Sequence, residues 1–126
     1  MSDRARSTER QQFLTDLLTT AIEHYGYGFP SVVEYEPEGV DGGYAFALIT
    51  DRYALENEEP DAGKIYRVDL DTMAKGLKVI QSWAHKAPWV TELLAANRTN
   101  GADGDYDVLG ALAVLECALF GQVVYA

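Results

Sequence analysis

Residues Asp105 to Tyr125 read DYDVLGALAVLECALFGQVVY, and from Val108 to Phe120 the only charged side chain is Glu116. A run of this length is too short to cross a bilayer, which takes about 20 apolar residues. A helix that is apolar on every side must instead lie inside a core. Asp105 and Asp107 stand where they can cap the first turn and favour its positive end. Gly121 stands where a left-handed residue ends a helix. Gln122-Val123-Val124-Tyr125 then reads as a short extended tail or edge strand. Gly110 costs about 1 kcal/mol against alanine inside a helix, which implies close approach by another backbone or a ring. Glu116 has two readings. It is a site carboxylate with a raised pKa, or it reaches solvent at a helix edge or pairs with an Arg or Lys of another element.

Working outward, Asn97 to Gly104 is rich in turn residues. Pro88 opens a short helix through Trp89, Val90, Leu93 and Leu94 to about Ala96. Asp69 caps a helix whose apolar face is Leu70, Met73, Ala74, Leu77, Ile80 and Ala84. Its Lys75, Lys78 and Lys86 come late, as the macrodipole prefers. Ile65 to Val68 is a short strand. Asp51 to Gly63, DRYALENEEPDAG, reads as a mobile surface loop. Ser31 to Pro37 and Tyr44 to Thr50 alternate as the two strands of a hairpin. Val33 and Tyr35 take one face of the first strand, with Val32, Glu34 and Glu36 on the other. Tyr44, Phe46 and Leu48 oppose Ala45, Ala47 and Ile49 on the second. Near the start, residues 1–7 are frayed. Thr8 and Gln11 form a capping box, and Phe13, Leu14, Leu17, Leu18, Ala21, Ile22 and Tyr25 share a helix face that Gly26 ends. The aromatic turn Tyr25-Gly26-Tyr27-Gly28-Phe29-Pro30 either seals one end of the core or offers a ligand platform. The expected fold is α+β, in one domain over residues 1–126. A three-stranded antiparallel sheet packs against helices in the order α-β-β-β-α-α-α, with the C-terminal helix buried at the centre.

The 126 residues carry a net charge of −10 from 20 acids and 10 bases, and 48% are hydrophobic. That suits a globular domain with a core. The acidity argues against binding a phosphate backbone and against docking on an anionic membrane. Cys117 stands alone, so there is no intramolecular disulfide framework, and on a buried helix it reads as a small core residue. With no signal-peptide pattern, a reducing, cytoplasmic setting is expected.

Motifs for chemistry are lacking. Asp103-Gly104-Asp105-Tyr106-Asp107 opens like a calcium loop, but the sixth and twelfth places hold Val108 and Val114 instead of glycine and a bidentate carboxylate. Two histidines, His24 and His85, with one cysteine make no zinc pattern. No phosphate-binding glycine loop or nucleophile elbow is present. No cofactor, no metal and no catalytic residue is expected.

The clearest feature is charge. Between Glu34 and Asp61 the chain holds nine acids against the single base Arg52. The candidate partner-binding residues are Glu34, Glu36, Glu38, Asp41, Glu56, Glu58, Glu59 and Asp61. Such a surface can mimic nucleic acid or dock a basic protein. It can equally be a solvated sheet edge that charge protects from aggregation.

The second half of the chain resembles a family of small acidic proteins from actinobacterial phages and related mobile elements. The resemblance rests on Lys64 to Leu77 (KIYRVDLDTMAKGL), Asn97-Arg98-Thr99-Asn100-Gly101, Asp105-Tyr106-Asp107, and the ending Ala118 to Tyr125 (ALFGQVVY). It implies an origin and a host-cell location, and it brings no activity or site residue with it. The reading that follows is a non-enzymatic phage accessory protein that binds a host or phage protein through its acidic surface. Its sharper form is a DNA mimic that inhibits a host defence or nucleic-acid enzyme. Two alternatives stand beside it. One is a self-assembling virion-associated protein with an oligomer interface near Trp89 and Tyr125. The other is a small enzyme or ligand binder using Glu116, His24 and Tyr27.

Overall fold

Nine consecutive residues, Gly110 to Ala118, are buried in a computed structural model of the chain. They form the middle of the last helix, which starts and stops as its end residues require. The structure describes residues 6–23, 29–60, 62–83 and 87–126. In chain order the elements are α1 (Thr8–Ile22), β1 (Ser31–Glu36), β2 (Phe46–Thr50), α2 (Arg52–Glu56), β3 (Ile65–Val68), α3 (Leu70–Gln81), α4 (Pro88–Thr99) and α5 (Val108–Phe120). The fold is α+β, with a three-stranded antiparallel sheet ordered β1-β2-β3. No helix among the described residues is long and apolar enough to cross a membrane.

The middle of α5 is buried on every side because α1 and α3 pack on it, with α4 adding a smaller contact. Asp107 caps it through Oδ1, which accepts from the Gly110 N–H at 2.9 Å, while Asp105 accepts from the Tyr106 N–H. Gly121 ends it at φ 77°, a left-handed conformation that glycine adopts without a Cβ penalty. Gly110 is not the point of close approach. A Cβ there would sit at ordinary contact distance, 3.6 Å from Tyr106 Cβ. The close approach is at Gly76 of α3, where an added Cβ would lie 2.0 Å from the Val114 carbonyl oxygen of α5. The two backbones touch because position 76 has no side chain.

The sheet turns Ala47, Ile49 and Val68 into the core, where they join Leu14, Leu17, Leu18, Met73, Leu77 and Leu115. Strand β2 starts at Phe46, two residues later than expected, and the buried Ala45, Ala47 and Ile49 alternate with half-buried Phe46 and Leu48. The alternation predicted for β1 fails. A register shift between Val32 and Glu34 sets Val32 opposite Ile49 and Glu34 opposite Leu48, leaving Val33 as an extra residue that is 56% exposed.

Several local expectations change. Ser7, one residue earlier than Thr8, caps α1 by accepting from the Arg10 N–H, and Arg6 pairs with Asp71 at 2.6 Å. Residues 6 and 7 are therefore anchored rather than frayed. Glu23 closes α1, and Tyr25 and Gly26, expected at its end, lie outside the described residues. The segment after β2 is not all loop, because Asp51 caps the short helix α2. Helix α4 runs past Ala96 to Thr99, where Asn100 stops it in a left-handed conformation. Asp69 caps α3 in a reciprocal box with Thr72. His24, Tyr27, Asp61, Ala84, His85 and Lys86 lie outside the described residues.

Candidate functional site

The acidic segment falls on β1, the β1–β2 turn and the stretch around α2. Glu34 lies opposite Leu48, which lies opposite Arg67, and Glu36 lies opposite Phe46. This face of the sheet points away from the core. Its central residues Phe46, Leu48 and Thr50 are half-buried, and Ile65 on the neighbouring strand is exposed. The Arg67 guanidinium covers the Phe46 ring at 4.2 Å and faces Asp69 at 3.7 Å. Glu38 and Asp41 extend the face at the Glu36 end. Glu56, Glu58 and Glu59 lie beyond Thr50, at the other end of β2. Four residue steps separate the ends, roughly 13 Å at 3.3 Å per residue. The acids therefore form two clusters with Glu34 between them. Glu34, Glu38, Asp41, Glu56, Glu58 and Glu59 are exposed and Glu36 is half-buried.

The backbone fixes the second cluster. After α2 the Glu59 N–H donates to the Ala54 carbonyl at 2.9 Å and the Glu58 N–H to the Leu55 carbonyl at 3.2 Å. This pair of bonds is the helix-ending motif whose left-handed position usually holds glycine. Here that position is Glu58, at φ 54°. A side chain there costs about 1–2 kcal/mol relative to the right-handed region.

Asp51 and Glu116 belong to a different arrangement. Glu116 is 1% exposed, so it does not reach solvent, and among the described residues no basic side chain pairs with it. Its Oε1 accepts from the N–H groups of Val124 and Tyr125 at 2.6 Å each and of Ala126 at 3.3 Å. Successive amides turned inward make a concave seat for an anion, and here the anion is the protein's own side chain. The residues after Gly121 thus form no strand; the amides of Val124, Tyr125 and Ala126 are spent on Glu116. Tyr125 completes the hold by donating its hydroxyl to Asp51 Oδ2 at 2.8 Å. Asp51, 7% exposed, receives the Ala54 N–H on its other oxygen. Burial, then the hydrogen bond to Asp51 and the charges of Asp51, Glu59 and Glu116, raise the Tyr125 phenol above its ordinary range. Its ring packs against Tyr53, Phe29 and Phe120 with centroids 4.9, 5.5 and 6.4 Å away.

This arrangement removes Glu116 from the ligand-binding alternative. The cavity of about 150 Å³ beside the tail is lined by Asp51, Glu59, Tyr66, Phe120 and Tyr125, and Glu116 is not in its wall. Cys117 is fully buried, and burial with the adjacent Glu116 charge pushes its thiol up to about 11. It stays protonated near neutral pH, so it is no nucleophile. Among the described residues no group of three or more His, Cys, Asp or Glu is placed to hold a metal ion.

A lone carboxylate in an apolar run needs a partner, but the expected solvent or basic side chain is replaced here by backbone N–H groups. Such partners are not legible in the sequence, because backbone amides leave no trace in residue identity. No protein-family model, curated protein or solved structure matches the chain.

Proposed function

We propose that the chain is a non-enzymatic accessory protein that binds a basic protein through the half-open face of its sheet and the acidic loops at either end. Its sharper form mimics nucleic acid toward a host defence or nucleic-acid enzyme, in keeping with the resemblance to phage proteins. The observation that carries the reading is Glu58. A solvated surface needs no particular acid at a left-handed position that favours glycine. Keeping glutamate there, beside Glu56 and Glu59, spends stability on placing charge, which is how strain and function associate. Phe46 and Leu48 between the two acidic clusters supply apolar area that a partner can cover. Basic proteins that hold nucleic acid present the complementary field.

Two variants test the reading together. Reversing Glu34, Glu36, Glu58 and Glu59 to lysine should abolish retention of the partner from host lysate while far-UV circular dichroism and Tm stay near wild type. Glu58→Gly should raise stability by about 1 kcal/mol, because it relieves the left-handed residue, and should weaken partner retention. If both variants retain the partner as wild type does, the acids are ordinary solvation and the proposal is wrong.

A further inference from the structure

A second surface lies at the start of α5, built from none of the acidic strand and loop residues. Trp89, at the start of α4 and 41% exposed, forms one wall. On one side of it a depression of about 260 Å³ is lined by Leu109, Gly110, Ala113 and Val123, with Asp107 at its margin. Leu109 is 60% exposed, next to the buried stretch Gly110–Ala118 of the same helix. On the other side a depression of about 190 Å³ is lined by Glu92, Asp105, Tyr106 and Asp107. Trp89, Asp107 and Gly110 belong to both, so the two compartments adjoin.

Each aromatic wall is held from behind. Trp83 meets the Trp89 ring edge-on at 6.2 Å, and Phe13 meets Tyr106 edge-on at 6.0 Å. Asp107 spends one oxygen on the Gly110 N–H and Asp105 one on the Tyr106 N–H. Among the described residues neither of them, nor Glu92, has a basic side chain paired with it. Both depressions are smaller than a drug-sized pocket, so each suits a side chain rather than a whole ligand.

We infer that this trough binds a segment of a partner protein that presents a large apolar side chain next to an arginine or lysine. The apolar group would sit over Leu109 and Ala113. The cation would sit against the Trp89 face, between Glu92 and Asp105. Charge selects this occupant over a second copy of the chain. A copy carries a net charge of −10 and would bring the same acidic rim against this one, and like charges across an interface cost affinity. The same rim disfavours an anionic membrane.

A displayed library of random hexapeptides selected on the wild-type protein tests this. The most enriched peptide is then synthesised with a fluorescent label and titrated by anisotropy. The enriched peptides should pair Arg or Lys with a large apolar residue. Trp89→Ala and Glu92→Lys should each weaken the titrated peptide at least tenfold, and Trp89→Phe less. The variant reversed at Glu34, Glu36, Glu58 and Glu59 should bind it within twofold of wild type, so this site and the acidic sheet face stand or fall separately. Circular dichroism checks that each variant folds. Enrichment of no such peptide, or equal binding by Trp89→Ala, overturns the inference. Loss confined to the four-site variant also overturns it, by moving the peptide to the sheet. So does a dimer of the protein alone that Trp89→Ala dissociates in light scattering, since the occupant is then a second copy.

Discussion

Glu116→Ala is expected to lower the stability of the protein by about 3 kcal/mol and to free the tail. The carboxylate is buried and its Oε1 takes three backbone N–H groups. Removing it leaves those donors without an acceptor, and breaking a buried charged arrangement from one side costs about 3–5 kcal/mol. The tail can swing into water and recover part of that, which sets the expected loss at the low end. Glu116→Gln keeps an oxygen in place and gives up only the charge assistance, so its loss should be nearer 1–2 kcal/mol. Urea unfolding gives the free energies. Amide exchange at Val124 and Tyr125 gives the release of the tail, which should be large in the alanine variant and small in the glutamine one. Equal stability of wild type and Glu116→Ala would show that the three hydrogen bonds contribute nothing net.

Gly76→Ala should be as damaging, for a steric reason. Its Cβ would stand 2.0 Å from the Val114 carbonyl oxygen and 2.8 Å from the carbonyl carbon. The obstacle is backbone, which cannot rotate aside as a side chain can. Helices α3 and α5 must move apart, and their contact is the largest between helices in the fold. Overpacking typically costs about 1–3 kcal/mol and occasionally more, and a clash with main chain belongs at or above the top of that range. The helix propensity of alanine returns about 1 kcal/mol, so the net loss should be roughly 2–3 kcal/mol. Gly110→Ala makes the control. Its Cβ finds ordinary contacts, so the propensity gain should leave it neutral or slightly more stable. Thermal unfolding of the two variants side by side reads the contrast, and a Gly76→Ala protein as stable as Gly110→Ala would refute the close crossing.

These two glycines show what the residues disclose and what they withhold. Both sit inside helices, and local reasoning asks the same question of each. Only the helix crossing answers it, and the crossing is a property of three dimensions. The frame of the fold is local and was legible. The unbroken apolar run fixed α5 as the buried centre, Asp107 and Gly121 fixed its ends, and Asp69 fixed the start of α3. Helix α2 leaves no mark in the sequence because five residues are too few for an apolar period to show. The register shift at Val33 has no glycine or proline to announce it. At the candidate surface, the charge of residues 34–61 was plain. Its division between the two ends of β2 followed only from strand register, and the left-handed Glu58 only from backbone geometry.

The most direct test of the acidic sheet face as a contact surface is site-specific photocrosslinking. A photoreactive phenylalanine analogue placed at Val33, exposed beside Glu34 on β1, is compared with the same group at Lys75, exposed on α3. Both proteins are irradiated in host lysate and the adducts sequenced. The account predicts an adduct with a basic protein from position 33 that disappears when Glu34, Glu36, Glu58 and Glu59 are reversed, and none from position 75. Adducts from position 75 alone, or from position 33 regardless of the reversal, would contradict it.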